Sequence, residues 1–259
     1  MIRLVQITDS HLGENHGDPL LSMNPDASLV DVLRLVNEQQ QDIDFILATG
    51  DIANKPSLDA YRRFYKTVSD HLLAPMVWIP GNHDDHNMME TILSGSKHHQ
   101  IVRDDWLIIL LDSHVPGQTH GNFSQPELDF LAAALAAHLD KHVLISFHHQ
   151  PIPIGSQWMD RYIIRNAHLF WELVSPYRSV KGVLWGHIHQ TFDEQYNDVR
   201  LLSTPSTCIQ FAPNHDEFAL EDTMPGYRWL ELHPDGRIDT GVERVSRREY
   251  GIDFNSHGY

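Results

Sequence analysis

The chain has 259 residues, of which 41% are hydrophobic and 21% are charged, a globular composition with enough length for a large core. Its formal net charge of −16 argues against binding to the phosphate backbone of nucleic acid. A single cysteine, Cys208, cannot form an internal disulfide, which indicates a reducing compartment and a cytoplasmic location. Residues 1–8 lack a signal-peptide pattern and no run of about 18 apolar residues occurs, so we expect no membrane attachment.

Apolar strands and amphipathic helices alternate in the first third of the chain. Strands are predicted over 3–8, 44–49 and 76–79, with one helix starting at Asn24-Pro25 and another, capped by Ser57, running to Leu72. This β-α-β-α-β order predicts parallel strands joined by right-handed crossovers.

The middle of the chain repeats this pattern and the last part is predicted to be all-β. A short helix is predicted over 86–93, followed by a hairpin of 100–103 and 106–111. The capping box Ser124–Glu127 opens a further helix, which has Leu128, Leu131, Leu135 and Leu139 on one face. A strand over 142–147, a helix over 166–174 and a strand over 180–185 follow. Later strands are predicted over 191–196, 199–203, 227–233 and 238–245. We expect one α/β domain over 1–245, with two facing sheets and helices outside, and a partly ordered tail over 246–259.

Side chains that bind metals follow five of the predicted strands, at the point where each strand ends. They are Asp9 and His11, Asp51, Asn82 and His83, His148, and His187 and His189. Because ligands gather beyond the carboxyl ends of strands in open α/β sheets, we expect these side chains to converge. Apart from His83, they are oxygen and imidazole donors suited to first-row divalent metals. Each motif alone could be a turn or a helix cap, but all five in order favour a metal site.

This ordered set resembles the calcineurin-like metallophosphoesterase superfamily, and its motifs span residues 9 to 189. The resemblance implies a four-layer αββα sandwich of two mixed sheets flanked by helices, with a centre for two divalent metal ions. It implies that one ion is held by Asp9, His11, Asp51 and His189, and the other by Asp51, Asn82, His148 and His187, with Asp51 bridging. His149 is a competing candidate for the position given to His148.

Two such ions, roughly 3.5–4 Å apart, would activate a bridging hydroxide for in-line attack on phosphorus. Their positive charge would attract a phosphate ester despite the acidic surface. His83, outside the ligand set, would stabilise or protonate the leaving alkoxide. Asp84 would either orient the His83 imidazole or serve as a turn or helix cap.

Other stretches resemble the bacterial 3′,5′-cyclic-AMP phosphodiesterases of this superfamily. They are Leu4–Leu12, Trp158–Asp160, Arg165–Ala167, Thr204–Phe211 and Gly258-Tyr259. The resemblance implies hydrolysis of 3′,5′-cyclic AMP to 5′-AMP with Fe(II), Mn(II) or both, and substrate contacts from His11, Asp51, Asn82, His83 and His189. The expected partner is a small cyclic nucleotide, with no nucleic acid and no membrane; the oligomeric state stays open.

Several alternatives remain open at this stage. The substrate could be a 2′,3′-cyclic nucleotide, a glycerophosphodiester or a nucleotide pyrophosphate, and a non-catalytic binding module could use the same fold. The loop Pro205–Cys208 could line a nucleotide pocket or form a turn with a buried cysteine. Arg165 could contact phosphate or ribose, or lie in solvent. Phe211 or Trp158 could stack on a base or belong to the core.

Overall fold

The structure is a computed structural model that describes residues 1–93 and 100–258. His98 and His99, which we expect from the sequence to be surface residues, and Tyr259 of the Gly258-Tyr259 motif lie outside these residues. Among the described residues, no helix has both the length and the apolar character needed to cross a bilayer.

Strands and helices form at nearly all of the predicted places. The strands are β1 (Ile2–Ile7), β2 (Phe45–Ala48), β3 (Met76–Trp78), β4 (Gln100–Arg103), β5 (Trp106–Leu110), β6 (His142–Ser146), β7 (Val180–Trp185), β8 (Phe192–Tyr196), β9 (Val199–Ser203), β10 (Gly226–Leu232) and β11 (Ile238–Arg244). The helices are α1 (Pro25–Gln39), α2 (Leu58–His71), α3 (His86–Ile92), α4 (Gln125–Ala137) and α5 (Ala167–Val174), and Met159–Tyr162 forms a 3₁₀ turn.

The predicted helix caps are confirmed. The side chains of Asn24, Ser57 and Ser124 each accept a hydrogen bond from a backbone N–H in the first turn of their helix. One prediction for α4 is wrong: Leu139 does not share its buried face. The helix ends at Ala137, so Leu139 lies beyond it and is 71% exposed.

Two mixed sheets carry the fold. The first has the order β11-β10-β1-β2-β3, and the second has the order β4-β5-β6-β7-β9-β8. The pairs β1–β2 and β2–β3 are parallel, as the β-α-β-α-β order predicts, and so are β5–β6 and β6–β7. The carboxyl ends of these strands therefore meet at the same edge of each sheet.

Three apolar clusters separate four layers. On β1, Leu4 points toward the second sheet, whereas Val5 and Ile7 pack against α1 and α2, because successive side chains alternate across a strand. Leu144 of β6 meets Leu4 in the cluster between the sheets, while its neighbour Ile145 faces the cluster under α4 and α5. The predicted αββα sandwich is confirmed.

Candidate active site

All eight predicted site residues converge at one end of the sandwich. They follow β1, β2 and β3 of the first sheet and β6 and β7 of the second. The buried members are Asp9, His11, Asp51, His148, His187 and His189, and the half-buried members are Asn82 and His83. The site therefore straddles the two sheets.

Five of these residues have an unusual backbone conformation. The φ angles lie between 47° and 64° at Asp9, His11, Asp51, His187 and His189. This left-handed region is sparsely populated by residues other than glycine, although Asp and His enter it more readily than most. The left-handed conformation turns the chain sharply after each strand, and such conformations cluster at functional sites.

A first group of possible ligand atoms comes from the two loops that follow β1 and β7. The Nε2 atom of His189 lies 3.3 Å from Oδ1 of Asp9 and 3.2 Å from Nε2 of His11. One oxygen and two nitrogens this close together can share one divalent ion.

Asp51 lies between this group and a second one. Its Oδ2 atom is 3.8 Å from Nε2 of His11 and 3.3 Å from Nε2 of His148. The Nε2 atom of His148 is also 4.0 Å from Oδ1 of Asp9. The Asp51 carboxylate therefore reaches both sides of the site, as the predicted bridging ligand would have to.

Backbone carbonyls hold two of the imidazoles in one orientation. The Nδ1–H of His148 donates to the carbonyl oxygen of Thr49 over 2.7 Å, and that of His189 donates to Ile209 over 2.8 Å. In each ring the Nε2 atom then faces the carboxylates. Metal-binding histidines are commonly fixed in this way.

The charges within the site are strongly coupled. Burial and the neighbouring imidazoles lower the pKa values of His11 and His187, which keeps these rings neutral and able to coordinate a metal. Burial alone would raise the pKa of Asp51, but His148 and His83 reverse this effect and hold it well below its usual range. Burial also opposes the charge on His148, whose pKa nevertheless rises to about 9 because of Asp51.

Unsatisfied polar atoms support a metal at this place. Among the described residues, Oδ1 of Asn82 and Nε2 of His187 are buried and form no hydrogen bond. Buried polar atoms normally have hydrogen-bond partners. Two buried atoms with free lone pairs, within a cluster of carboxylates and imidazoles, are therefore suited to bind a cation. The residues thus fit a dinuclear divalent metal site, although the donor set does not select one metal.

Asp84 braces the loops after β2 and β3. Its carboxylate accepts hydrogen bonds from the backbone N–H groups of Ile52, Ala53 and Gly81, over 3.1, 3.1 and 2.9 Å. Burial and the nearby charge of Asp51 raise the pKa of Asp84 to about 6, and the three backbone N–H donors oppose this rise. The described hydrogen bonds of Asp84 therefore match the role in the turn, and not that of orienting the His83 imidazole.

The loop after β3 approaches Asp51 so closely that only glycine fits at position 81. A Cβ atom on Gly81 would lie 2.1 Å from Oδ1 of Asp51 and 2.4 Å from its backbone nitrogen. The same loop orients His83, whose backbone N–H donates to Oδ1 of Asp51 over 2.8 Å. The Nδ1 atom of His83 lies 2.8 Å from the carbonyl oxygen of Asn54, so this carbonyl orients the His83 ring.

A cavity of about 240 Å³ opens beside the site. Its metal-facing side consists of Asp51, Asn82, His83 and His187. The rest of the lining, here called the far side, is formed by Thr119, Trp158, Met159, Tyr162, Phe211, Phe218, His257 and Gly258. Its volume lies just below the ~300–1,000 Å³ typical of ligand pockets, so the cavity suits a small molecule.

Aromatic rings on the far side contact one another and the site. The ring of Phe211 stacks on that of His189, with centroids 4.0 Å apart and planes at 9°. Trp158 meets Phe211 edge-on at 5.0 Å and Phe218 at 5.3 Å. Phe211 is buried and holds His189 in place, whereas Trp158 remains half-exposed and accessible from the cavity.

The loop Pro205–Cys208 lies behind the site and is absent from the lining of the cavity among the described residues. The hydroxyl of Ser206 donates to the carbonyl oxygen of Asp9 over 2.7 Å, and the N–H of Thr207 donates to that of Thr8 over 3.0 Å. Burial raises the pKa of the Cys208 thiol to about 12, which makes it a poor nucleophile. This loop supports the backbone of Asp9.

His149 lies beside two predicted ligands, with a ring nitrogen within 4.8 Å of those of His148 and His187, whereas Arg165 is absent from the cavity lining among the described residues. The Nδ1 atom of His149 lies 2.8 Å from Oγ of Ser113, and its ring packs against His187 with centroids 4.7 Å apart. It is His148, and not His149, that lies between the two carboxylates. Arg165 is exposed, and its described contact is a backbone bond to Gly121.

Residues 2–191 match the model of the calcineurin-like phosphoesterase family. This match covers most of the chain and includes every strand-end motif. The chain belongs to this family. The superfamily predicted from the strand-end motifs is confirmed, and with it a phosphoesterase class of enzyme.

Two curated relatives extend the family assignment along the whole chain. The 3′,5′-cyclic adenosine monophosphate phosphodiesterase CpdA of Pseudomonas aeruginosa is 44% identical over 260 residues, which cover 100% of this chain and 95% of that protein. The protein of the same name from Escherichia coli K12 is 39% identical over 262 residues, with the same coverage.

Solved structures support the fold alone. A dimetal phosphatase from Danio rerio is 14% identical and superimposes with a TM-score of 0.64 over 95% of this chain and 99% of that one. The purple acid phosphatase PPD1 from yellow lupin is 11% identical, with a TM-score of 0.67 over 93% of this chain and 53% of that one.

Proposed function

We propose that this chain is a dinuclear-metal phosphodiesterase that hydrolyses 3′,5′-cyclic AMP to 5′-AMP. The observation that carries the proposal is the single cavity that joins Asp51, Asn82, His83 and His187 to an aromatic wall. A cyclic nucleotide has a phosphodiester at one end and a flat base at the other, which matches these two sides. The names of two relatives that align with the whole chain support the same substrate.

In this proposal seven residues hold two ions. Asp9, His11 and His189 hold one, Asn82, His148 and His187 hold the other, and Asp51 bridges them. When bound, such a pair of ions lowers the pKa of the water between them and neutralises charge on the phosphoryl oxygens. Fe(II) and Mn(II) are the proposed metals, since both accept nitrogen and oxygen ligands.

The reaction adds the oxygen of a water to phosphorus and breaks the bond from phosphorus to O3′. O3′ leaves as an alkoxide and needs a proton. His83 lines the cavity, and the Asn54 carbonyl fixes its ring, so we assign it the role of stabilising or protonating O3′. His11, Asp51, Asn82 and His189 would flank the same phosphoryl group from the metal side.

Charge is consistent with a small anionic substrate. The chain as a whole carries −16, which disfavours long polyanions. Within the site, however, two divalent ions would bring four positive charges against two carboxylates, Asp9 and Asp51. A diester with one negative charge would therefore be attracted locally.

Product analysis with defined metals tests this function. The metal-free protein would be loaded with Fe(II), Mn(II) or Zn(II) and given 3′,5′-cyclic AMP, a 2′,3′-cyclic nucleotide, a glycerophosphodiester, a nucleotide pyrophosphate and bis(4-nitrophenyl) phosphate. We expect 5′-AMP, and no 3′-AMP, from 3′,5′-cyclic AMP. Cleavage of the aryl diester without cleavage of 3′,5′-cyclic AMP would refute the substrate, and no activity with any metal would revive the non-catalytic alternative.

A further inference from the structure

The segment 246–258, here called the C-terminal segment, runs from the end of β11 to the candidate active site. Two of its residues, His257 and Gly258, line the cavity together with Asp51 and His83. The segment has no regular secondary structure, so its path depends on side-chain and backbone contacts with the rest of the chain.

Several contacts fix that path. The guanidinium of Arg247 donates to the carbonyl oxygen of Asp222 over 3.0 Å, and the hydroxyl of Tyr250 donates to Oδ2 of Asp31 over 2.9 Å. The backbone N–H of Asp253 donates to the carbonyl oxygen of Leu21 over 2.9 Å. The rings and side chains of Tyr250 and Ile252 also pack against the core. The segment is therefore attached along its length before it reaches the cavity.

The cavity wall away from the metals is suited to a base. Trp158, Tyr162 and Phe218 provide flat apolar surface, and stacking on such rings accepts any base. Discrimination between bases requires polar protein groups that face the edge of the base. Thr119, His257, the hydroxyl of Tyr162 and the indole N–H of Trp158 are polar groups on this wall, and the imidazole of His257 brings two ring nitrogens that can hydrogen-bond to a base.

We propose that the C-terminal segment completes the base-binding part of the substrate pocket and that His257 is a specificity-determining residue there. This inference rests on the proposed function, because it assumes a cyclic nucleotide whose phosphate lies on the metal side. His257 contacts the base and takes no part in breaking the phosphorus–oxygen bond. Its effect falls on the binding of nucleotides and leaves base-free diesters unaffected.

The test compares full-length, metal-loaded wild type with His257→Ala. Kinetics would be measured on 3′,5′-cyclic AMP, 3′,5′-cyclic GMP and bis(4-nitrophenyl) phosphate, with 5′-AMP as an inhibitor of aryl diester hydrolysis. We expect KM for cyclic AMP and the inhibition constant of 5′-AMP to rise about 3- to 10-fold, the equivalent of one partly exposed hydrogen bond. The kcat for cyclic AMP and all constants for the aryl diester should stay unchanged, and the ratio of cyclic AMP to cyclic GMP turnover should shift.

Two further variants make the result specific. His168→Ala removes an exposed histidine of α5 outside the cavity lining and should change nothing. Termination after Phe254 keeps the contacts of Arg247, Tyr250 and Asp253 and should reproduce or exceed the effect of His257→Ala.

The outcomes separate the two proposals. If wild type cleaves cyclic AMP and His257→Ala behaves like wild type, the inference about the segment is wrong while the proposed function stands. An equal loss on cyclic AMP and the aryl diester would also overturn it, because the segment would then act on the metal site. If wild type cleaves only the aryl diester, both proposals are wrong.

Discussion

The two sides of the cavity are built in different ways. On the metal side, buried or half-buried carboxylates, imidazoles and one side-chain amide follow five strands, and backbone carbonyls and N–H groups fix several of them. On the far side, Trp158 and Tyr162 are half-buried, His257 is exposed, and each comes from a loop or turn. Under the proposed function, the buried metal side performs the chemistry and the more open far side selects the substrate.

The division of roles between the two sides can be tested most directly at Asp51. We expect Asp51→Ala to lose both ions, because the Asp51 carboxylate lies 3.8 Å from Nε2 of His11 and 3.3 Å from Nε2 of His148 and so reaches both groups of ligands. Hydrolysis of cyclic AMP and of the aryl diester should fall together by at least ~10³-fold, more than the removal of one stabilising donor costs. Elemental analysis would report the metal content. Asp59→Ala, which removes an exposed carboxylate from α2, is the control, and an intact dinuclear centre in Asp51→Ala would refute the bridging role.

His83→Ala separates chemistry from metal binding on the same side. The ions should remain, since His83 is outside the proposed ligand set. Turnover of cyclic AMP should drop roughly 10²–10⁴-fold, because its alkoxide leaving group needs a proton. The aryl diester should lose much less, since 4-nitrophenolate leaves without one. Loss of metal from this variant would show that the assigned role is wrong.

Trp158→Ala tests the far side. Stacking of a base on an aromatic ring is worth ~1–3 kcal/mol, so KM for cyclic AMP should rise by roughly one to two orders of magnitude. The constants for the aryl diester and the metal content should change little. Trp158→Phe preserves a stacking surface and should recover most of the affinity. If both substrates suffered equally in Trp158→Ala, the division between the two sides would fail.

Asp84→Asn tests the bracing of the metal side without touching a proposed ligand. An amide can accept fewer of the three backbone N–H groups and brings an NH₂ group against them. We expect the loops to loosen, with metal affinity reduced about tenfold, at the low end of ~10–100-fold for groups that support ligands. Stability to urea should fall by ~1–3 kcal/mol. Metal titration and urea unfolding, with Asp85→Asn as the matched neighbour, would measure both effects.

The metal side was predictable because its information is local. Each ligand directly follows an apolar strand, and parallel strands bring their carboxyl ends together, so Asp9 and His187 could be placed together although 178 residues separate them. The helix caps at Asn24 and Ser57 were local in the same sense. The prediction that Leu139 belongs to the buried face of α4 was wrong, because periodicity marks a helix face but not the residue at which the helix ends.

The far side was not predictable because it depends on where distant backbone passes. The adjacent Gly258-Tyr259 motif carries a family resemblance but does not place His257 in a cavity, and its position follows from the attachment of Tyr250 and Asp253 to other parts of the fold. The carbonyl of Asn54 orients His83, yet any residue type can supply a carbonyl. Trp158 and Phe211 were recognised only as open alternatives, since aromatic residues serve cores and pockets equally well.

The placement of the site across both sheets has a consequence for how the protein matures. The proposed ligands run from residue 9 to residue 189 and come from loops of both sheets. A nascent chain that has folded only β1, β2 and β3 can offer Asp9, His11, Asp51 and Asn82, but not the imidazoles that follow β6 and β7. Tight metal uptake would then be one of the last events of folding, and an ion acquired too early would be held by too few groups to persist.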